Sequence, residues 1–230
     1  MSHARAELAS PWRIVEAATV APVAWRNGGG VTRELLRLTA DAALAEPVAN
    51  EDWVLRISVA DIATDGPFSR FPGVLRSFAV IAGAGVVLDW GDGRRAEATP
   101  GSEPVDFNGD DAPDCRLLDG PTRDLNVMVR GDLASSCLRR AAWNEPWTPR
   151  APQAGMYARV PLQLTTASGC VRQLKAQTLA WCDHVDAPAW SIAATSSTAT
   201  LDGPAGTCEA PPGWWIALSP VPPPRRLHSP

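Results

Sequence analysis

The stretch Leu75–Trp90, LRSFAVIAGAGVVLDW, consists of two apolar runs on either side of a Gly-Ala-Gly segment. Two strand-like runs joined by a short glycine-containing segment are typical of a β-hairpin, because glycine adopts the backbone angles that a tight turn requires. A second tight turn, Gly91-Asp92-Gly93, follows directly. The stretch therefore predicts antiparallel β-structure made of short strands and tight turns.

Two further runs alternate between apolar and polar side chains. Trp53–Ala60 (WVLRISVA) places Arg56 and Ser58 on the face opposite its large apolar residues, and Asp124–Arg130 (DLNVMVR) does the same. In that second run Asp124, Asn126 and Met128 share one face, because successive strand residues point to opposite sides. In an open sandwich these faces meet water, whereas in a barrel they line the interior, where a few polar groups define a small-molecule site.

Helical periodicity is limited to two short segments. Leu38–Ala49 is predicted to hold a short helix before Pro47, and Gly131–Ala141 one or two further turns. The 22 prolines interrupt longer helices. Short strands at intervals of about 8–12 residues predict an all-β chain, a sandwich or barrel with few short helices.

Composition excludes several classes of function. A chain of 230 residues with a formal charge of −4 lacks the clustered basic residues that nucleic acid requires. No stretch approaches 18 uninterrupted apolar residues, so no membrane span is expected. The N-terminus carries charges and no apolar signal segment, which favours a cytoplasmic location.

The sequence lacks the motifs that most often indicate a catalytic site. The triplet Gly28–Gly30 is followed by Val-Thr-Arg-Glu and a strand-like run, not by the Lys-Ser/Thr and helix of a phosphate-binding loop. His184, beside Cys182 and Asp183, is interpreted as part of a surface turn, because it lacks further metal ligands. No nucleophile motif is present. Neither a metal nor another cofactor is expected.

Three stretches together resemble the HutD/Ves family of cupin-like proteins. They lie in order between about residues 12 and 131: WRNGGGVTREL, WVLRISVADIATDGPFSRFPGVLRSFAVIAGAG and CRLLDGPTRDLNVMVR. The resemblance implies a bicupin-like double β-sandwich or barrel. Its expected parts are an N-terminal cupin-like barrel (10–131), a smaller cupin-like half (132–222) and a proline-rich tail (223–230). It also implies a role in bacterial histidine utilisation, as a sensor or sequestering protein without an assigned reaction.

The glycine triplet is the first candidate binding element. Glycine has no Cβ, so its backbone can approach a pocket closely. We predict that backbone N–H groups of Gly28–Gly30, with Trp25, Asn27, Thr32 and Glu34 beside them, bind a carboxylate or amide of a ligand. The alternative is that the triplet only forms a bend at the start of a strand.

The second candidate element is DGPFSRFPGVLR, which supplies Phe68, Ser69 and Arg76. Arg76 is predicted to anchor an anion, since its guanidinium matches a carboxylate with two hydrogen bonds; the alternative is a surface arginine. Asp124 and Asn126 are expected to bind a donor group. Arg56, Ser58 and Met128 complete the predicted lining.

The leading hypothesis is a metal-free binding protein for a small carboxylated metabolite of the urocanate or formylated amino acid class, with a homodimer as the expected assembly. One alternative is an isomerase or hydrolase with Glu34 or Asp124 as general base. Another is a protein-interaction module with an exposed aromatic patch, unless those residues fill the core. The patch would comprise Trp143, Trp147, Trp214 and Trp215.

Overall fold

The computed structural model describes residues 12–39, 53–185, 189–195 and 210–221. Within these ranges the chain forms eighteen β-strands, and one 3-10 turn at Ala17–Thr19 is its only helical element. The prediction of an all-β, cupin-like chain is confirmed. No helix in the described ranges is long and apolar enough to cross a membrane.

The strands are short, as the dense turn residues predict. Those up to residue 130 are β1 Trp12–Glu16, β2 Val23–Ala24, β3 Gly30–Thr39, β4 Trp53–Ile62, β5 Gly66–Pro67, β6 Val74–Ala82, β7 Val86–Asp89, β8 Arg95–Ala98, β9 Val105–Asn108, β10 Asp114–Leu117 and β11 Thr122–Arg130. Those that follow are β12 Ala134–Arg140, β13 Gln153–Ala158, β14 Leu162–Thr166, β15 Val171–Leu174, β16 Thr178–Cys182, β17 Trp190–Ala194 and β18 Gly213–Pro220.

The described strands pair into four antiparallel sheets. The first barrel is formed by the sheet β2-β3-β4-β11-β6-β9 and the smaller sheet β5-β10-β7-β8. The second is formed by β1-β16-β13-β18-β12 and the smaller sheet β15-β14-β17. Apolar side chains fill the space between the two sheets of each barrel. Each barrel therefore has an apolar interior of its own.

The two largest sheets pack against each other, so the barrels share a third apolar core. Every second residue of β4 and β11 points into this core, which explains why both strands alternate in sequence. The buried side chains at this junction include Leu55, Ile57, Leu125, Val127, Tyr157, Trp181 and Trp214. The opposite faces of β4 and β11 consequently point into the first barrel.

The boundary between the halves differs from the expected one at a single strand. β1, which lies within the range predicted for the N-terminal barrel, pairs with β16 from Trp12↔Cys182 to Glu16↔Thr178. It therefore belongs to a sheet of the second barrel. A five-residue strand with no turn signal linking it to a neighbour gives no sequence cue to so distant a partner.

The predicted helix over Gly131–Ala141 is wrong. Ala134–Arg140 is β12, paired with β18, because Ala134 and Leu138 are needed on the face that packs between the barrels. Of the other predicted helix, Leu38 and Thr39 belong to β3 and the remainder lies outside the described residues. The tail 223–230 also lies outside them.

Candidate functional site

The inward face of the six-stranded sheet brings the predicted polar residues together in two rows. In one row Glu34 lies opposite Ser58, which lies opposite Asn126. In the next row Met128 has Arg56 on one side and Arg76 on the other. Residues directly opposite on neighbouring strands have Cβ atoms about 5 Å apart, so each row is a continuous strip of contacting side chains.

Arg76 is the central cation of this face. Only 8% of the residue is exposed, and its Nη2 donates a hydrogen bond to Asn126 Oδ1 at 2.9 Å. The rings of Phe68 and Phe107 each lie with their centroid 4.9 Å from its guanidinium carbon, and the ring of Phe71 lies at 5.8 Å. These contacts hold the guanidinium through its π faces and one amide, which leaves its charge unneutralised.

No carboxylate in the described part of the chain forms an ion pair with Arg76. Its Nη1 reaches only the Ser69 carbonyl at 3.4 Å, and its Nε has no hydrogen-bond partner. Burial, with a smaller contribution from the nearby Arg56 charge, lowers the pKa of Arg76 to about 10, so it remains cationic at neutral pH. A buried cation without a counter-ion is costly.

Arg56 differs from Arg76 because its charge is matched. Its Nε donates to Glu34 Oε2 at 2.9 Å, and Arg37 Nε donates to Glu34 Oε1 at 2.8 Å. The hydrogen bond from Arg37, followed by the interactions with Arg56, outweighs desolvation and keeps the pKa of Glu34 below its usual value. A carboxylate held by two arginines is a weak base, which disfavours Glu34 as a catalytic base.

Asp124 is fully buried on the same face, at the other end of β11. Its Oδ2 accepts a hydrogen bond from Thr122 Oγ1 at 3.1 Å, and its Oδ1 has no partner. Desolvation raises the pKa of Asp124 well above its usual value. Burial likewise raises the pKa of Cys115 to about 12, so this thiol keeps its proton at neutral pH. The raised pKa of Asp124 favours its neutral form, which cannot act as a base.

The glycine triplet builds a turn, and two of its backbone donors are already used. The N–H of Gly28 donates to the Trp25 carbonyl at 3.0 Å, and the N–H of Gly29 donates to Asn27 Oδ1 at 3.1 Å. A Cβ on Gly30 would lie 2.4 Å from the Asp61 carbonyl oxygen and 3.2 Å from the Trp25 ring. The N–H groups of Gly28 and Gly29 thus have partners within the protein, and the packing around Gly30 favours the alternative, a bend at the start of a strand.

The side chains around this turn are also paired within the protein. Trp25 Nε1 donates to Thr32 Oγ1 at 2.7 Å, which places the indole ring at the end of the first barrel.

Ser69 is exposed and contacts Arg76 through its carbonyl alone, so its predicted side-chain role is not seen. Of the residues predicted from DGPFSRFPGVLR, Phe68 and Arg76 are the two that meet inside the barrel.

A groove of about 830 Å³ gives access to Arg76. It runs along β9, the edge strand of the six-stranded sheet, between the β7–β8 hairpin and β12. Such a volume lies within the range of small-molecule sites. The lining residues are Leu75, Arg76, Ser77, Trp90, Gly93, Arg94, Arg95, Asp106, Phe107, Asn108, Ser135 and Ser136.

Comparison with known proteins identifies the family of this chain. The family model described as HutD matches residues 17–200. The chain belongs to the HutD family. Solved structures agree with the assignment at the level of the fold, as the following two cases show.

HutD from Pseudomonas fluorescens SBW25 is 22% identical, with a TM-score of 0.71 over 92% of this chain and 100% of that one. A conserved protein of unknown function from Pseudomonas aeruginosa PAO1 is 24% identical, with a TM-score of 0.70 and the same coverage. These likenesses establish the cupin-like fold of this HutD-family chain.

Curated relatives cover a shorter region. Protein Ves from Citrobacter koseri is 36% identical over 118 residues, which are 51% of this chain and 57% of Ves. Protein Ves from Escherichia fergusonii is 32% identical over 118 residues, which again are 51% of this chain and 57% of Ves. The HutD-family chain thus spans little more than half the length of the curated relatives that it matches.

The predicted tryptophan docking patch is wrong for three of its four residues. Trp147, Trp214 and Trp215 are at most 9% exposed, and the rings of Trp147 and Trp215 stack with centroids 4.9 Å apart. Trp190 packs edge-on against both of these stacked rings. The alternative, that they fill the core, holds for these three, and Trp143 alone is 36% exposed.

The segment around His184 gives no metal site. Cys182 Sγ donates to the His184 carbonyl at 3.0 Å, and Asp183 pairs with Arg13 on β1. No group of three His, Cys, Asp or Glu side chains in the described ranges is placed to hold a metal ion. These side chains instead tie the end of β16 to its neighbours.

Sequence reasoning missed the contributions of Phe107, Trp90 and the β7–β8 arginines. Phe107 lies on β9, a strand of only four residues, and it reaches Arg76 because the two residues are opposite each other in the sheet. No local pattern reports such a register. The "LDWGDGRR" turn was a visible signal, but it was used only to predict a hairpin.

Proposed function

We propose that this HutD-family chain is a metal-free binding protein for a small carboxylated metabolite, which regulates or buffers histidine utilisation. Arg76 is the anchor of the ligand carboxylate. The observation that carries the proposal is the burial of Arg76 without a counter-ion at the side of a groove large enough for a metabolite. Membership of the HutD family supports the link to histidine utilisation.

Electrostatics favour an anion at this position over a neutral ligand. Moving a cation out of water costs several kcal/mol after relaxation, and a hydrogen-bonded carboxylate offsets much of that cost. The free Nε of Arg76 offers a donor that is already desolvated. Because the guanidinium is packed between aromatic rings and bonded to Asn126, it meets the ligand in a fixed orientation, so little side-chain entropy is lost on binding.

The apolar part of the ligand would contact aromatic rings. Phe107 and Trp90 line the groove beside Arg76, with their ring centroids 5.8 Å apart in an edge-to-face arrangement. A planar or short aliphatic body packs well on such a surface. A metabolite of the urocanate or formylated amino acid class combines a carboxylate with a body of this kind.

The first test is a thermal-shift and calorimetric panel with the full-length protein, with and without EDTA. It contains urocanate, formylglutamate, histidine and acetate. A ligand at about 100 times its Kd stabilises a protein by about 2.7 kcal/mol, which corresponds to roughly 5–10 °C for a chain of this size. We expect such a shift for one or more of the acids, unchanged by EDTA.

Variants of Arg76 assign the shift to this site. Arg76→Met is expected to abolish it and Arg76→Lys to weaken it, because lysine keeps the charge but loses the two-pronged geometry. Arg116→Met, on an exposed position of the smaller sheet, is the matched control and should keep the shift. No shift with any acid, or the same shift in Arg76→Met, would overturn the proposal.

A further inference from the structure

We infer that the ligand held at Arg76 carries a second anionic group, which binds Arg94 and Arg95 at the far side of the same groove. The inference rests on the proposed function and narrows it from carboxylates in general to dianions with a short apolar spacer. Both ends of the ligand would be held by guanidinium groups, and its middle would lie on aromatic rings.

The charge of the groove is the first support. Its twelve lining residues include three arginines and one acid, Asp106, in a chain whose formal net charge is −4. The carboxylate of Asp106 accepts a hydrogen bond from Ser77 Oγ, which draws part of its charge away from the opening. The lining residues alone therefore carry an excess of two positive charges, and the carboxylates that pair with Arg94 and Arg95 lie outside the lining. An excess of positive charge along a groove attracts anions with more than one charge.

The second support is the continuous contact between the two cationic ends. The Arg94 guanidinium lies 5.4 Å from the centroid of the Trp90 ring, and Trp90 contacts Phe107. Phe107 in turn packs on Arg76. Two aromatic rings in contact thus separate a buried cation from an exposed one. A ligand that neutralises both must have a body that spans those rings.

The ion pairs that now occupy Arg94 and Arg95 are easily exchanged. Arg94 pairs with Asp92 and Asp111, and Arg95 pairs with Asp89. The arginine side chains are 53% and 70% exposed, and ion pairs that are this exposed to solvent contribute little to stability. A ligand carboxylate can therefore replace a protein carboxylate at this end with little loss, whereas Arg76 has none to replace.

The test compares dicarboxylates with monocarboxylates of the same chain length. Succinate, glutarate, adipate and suberate are titrated calorimetrically into the wild-type protein, with butyrate, pentanoate, hexanoate and octanoate as their partners. We expect one dicarboxylate length to bind at least about tenfold more tightly than its monocarboxylate, because only the dicarboxylate also reaches the guanidinium groups of Arg94 and Arg95.

The variant Arg94→Met/Arg95→Met distinguishes the contribution of this end of the groove from that of Arg76. We expect it to raise the Kd of the preferred dicarboxylate about tenfold and leave the Kd of the monocarboxylates unchanged, and Arg116→Met to change neither. Equal binding of both ligand series, or a dicarboxylate preference that survives in the double variant, would overturn the inference while leaving Arg76 as a carboxylate anchor. If no acid binds, both this inference and the proposed function are wrong.

Discussion

Asp124 lies in an environment that differs strongly from that of a free aspartate side chain. It is buried in the first barrel with one carboxylate oxygen unpartnered, and desolvation raises its pKa well above the usual value. An unfolded chain releases this proton near pH 3.9. Between that pH and the raised pKa, the folded state alone keeps the proton, so folding becomes less favourable as pH rises through this window.

We therefore expect Asp124→Asn, which keeps the shape without the ionisable proton, to be more stable than wild type at pH 8. The advantage should shrink as pH falls and vanish near pH 4, where both states of the wild-type chain hold the proton. The measurement is the difference in unfolding temperature between the two proteins at a series of pH values.

Asp119→Asn, at an exposed position, is the control and should show no such trend. A difference between Asp124→Asn and wild type that stays constant with pH would contradict the raised pKa, since it would reflect packing alone.

Residue-level chemistry was the part of the candidate site that the sequence predicted best. The guanidinium of Arg76 fits a carboxylate, and Asn126 and Met128 alternate with buried neighbours on the same strand, so the sequence alone indicates all three. The structure places all three next to one another. Ligand binding itself stays a prediction. Phe107 was missed because its contact with Arg76 depends on strand register, which no local pattern encodes.

At the scale of elements, alternation and turn chemistry predicted the central strands. The runs that became β4 and β11 alternate because one face of each packs between the barrels. The hairpin predicted over Leu75–Trp90 is wrong, because β6 pairs with β11 and β9 in the six-stranded sheet, whereas β7 pairs with β10 and β8 in the smaller sheet. Gly83 and Gly85, with φ values of 93° and 123°, instead lead the chain from one sheet of the first barrel to the other. β12 was mistaken for a helix because Ala134 and Leu138 are spaced like one turn of a helix as well as two alternations of a strand.

β1 offers a test of how edge strands contribute to the second barrel. The Trp12 ring packs 5.1 Å from the Trp190 ring, whereas Ile14 on the same strand is 45% exposed. We expect Trp12→Ala to lower the free energy of unfolding by about 1–3 kcal/mol and Ile14→Ala by about 0.5 kcal/mol or less, since only the first removes a packed ring.

Urea unfolding followed by far-UV circular dichroism measures both variants. Equal losses in the two would show that pairing with β16, rather than ring packing, determines the contribution of β1.

At the scale of the whole molecule, the shared core makes the two barrels interdependent. Val127 and Val129 on β11 are covered by side chains of the second half such as Trp214 and Ile216. Separating the barrels would expose this apolar surface to water, at about 25 cal/mol for each Å². The halves are therefore expected to unfold together.

Differential scanning calorimetry should accordingly show one transition, with a ratio of calorimetric to van't Hoff enthalpy of about one. A fragment ending at residue 131 should fail to fold, because its largest sheet lacks a cover and β1 lacks a partner. Two resolved transitions, or a stable monomeric fragment, would show that the interface between the barrels is weaker than its burial indicates.

The crossing of β1 into the second barrel also bears on synthesis. The partner of Trp12, Cys182, leaves the ribosome about 170 residues after it. At roughly 5–20 residues per second, translation keeps them apart for on the order of ten to thirty seconds. During that interval the apolar outer face of the first large sheet is uncovered, so the nascent chain depends on shielding by chaperones or on rapid completion to escape association with its neighbours on the same polysome.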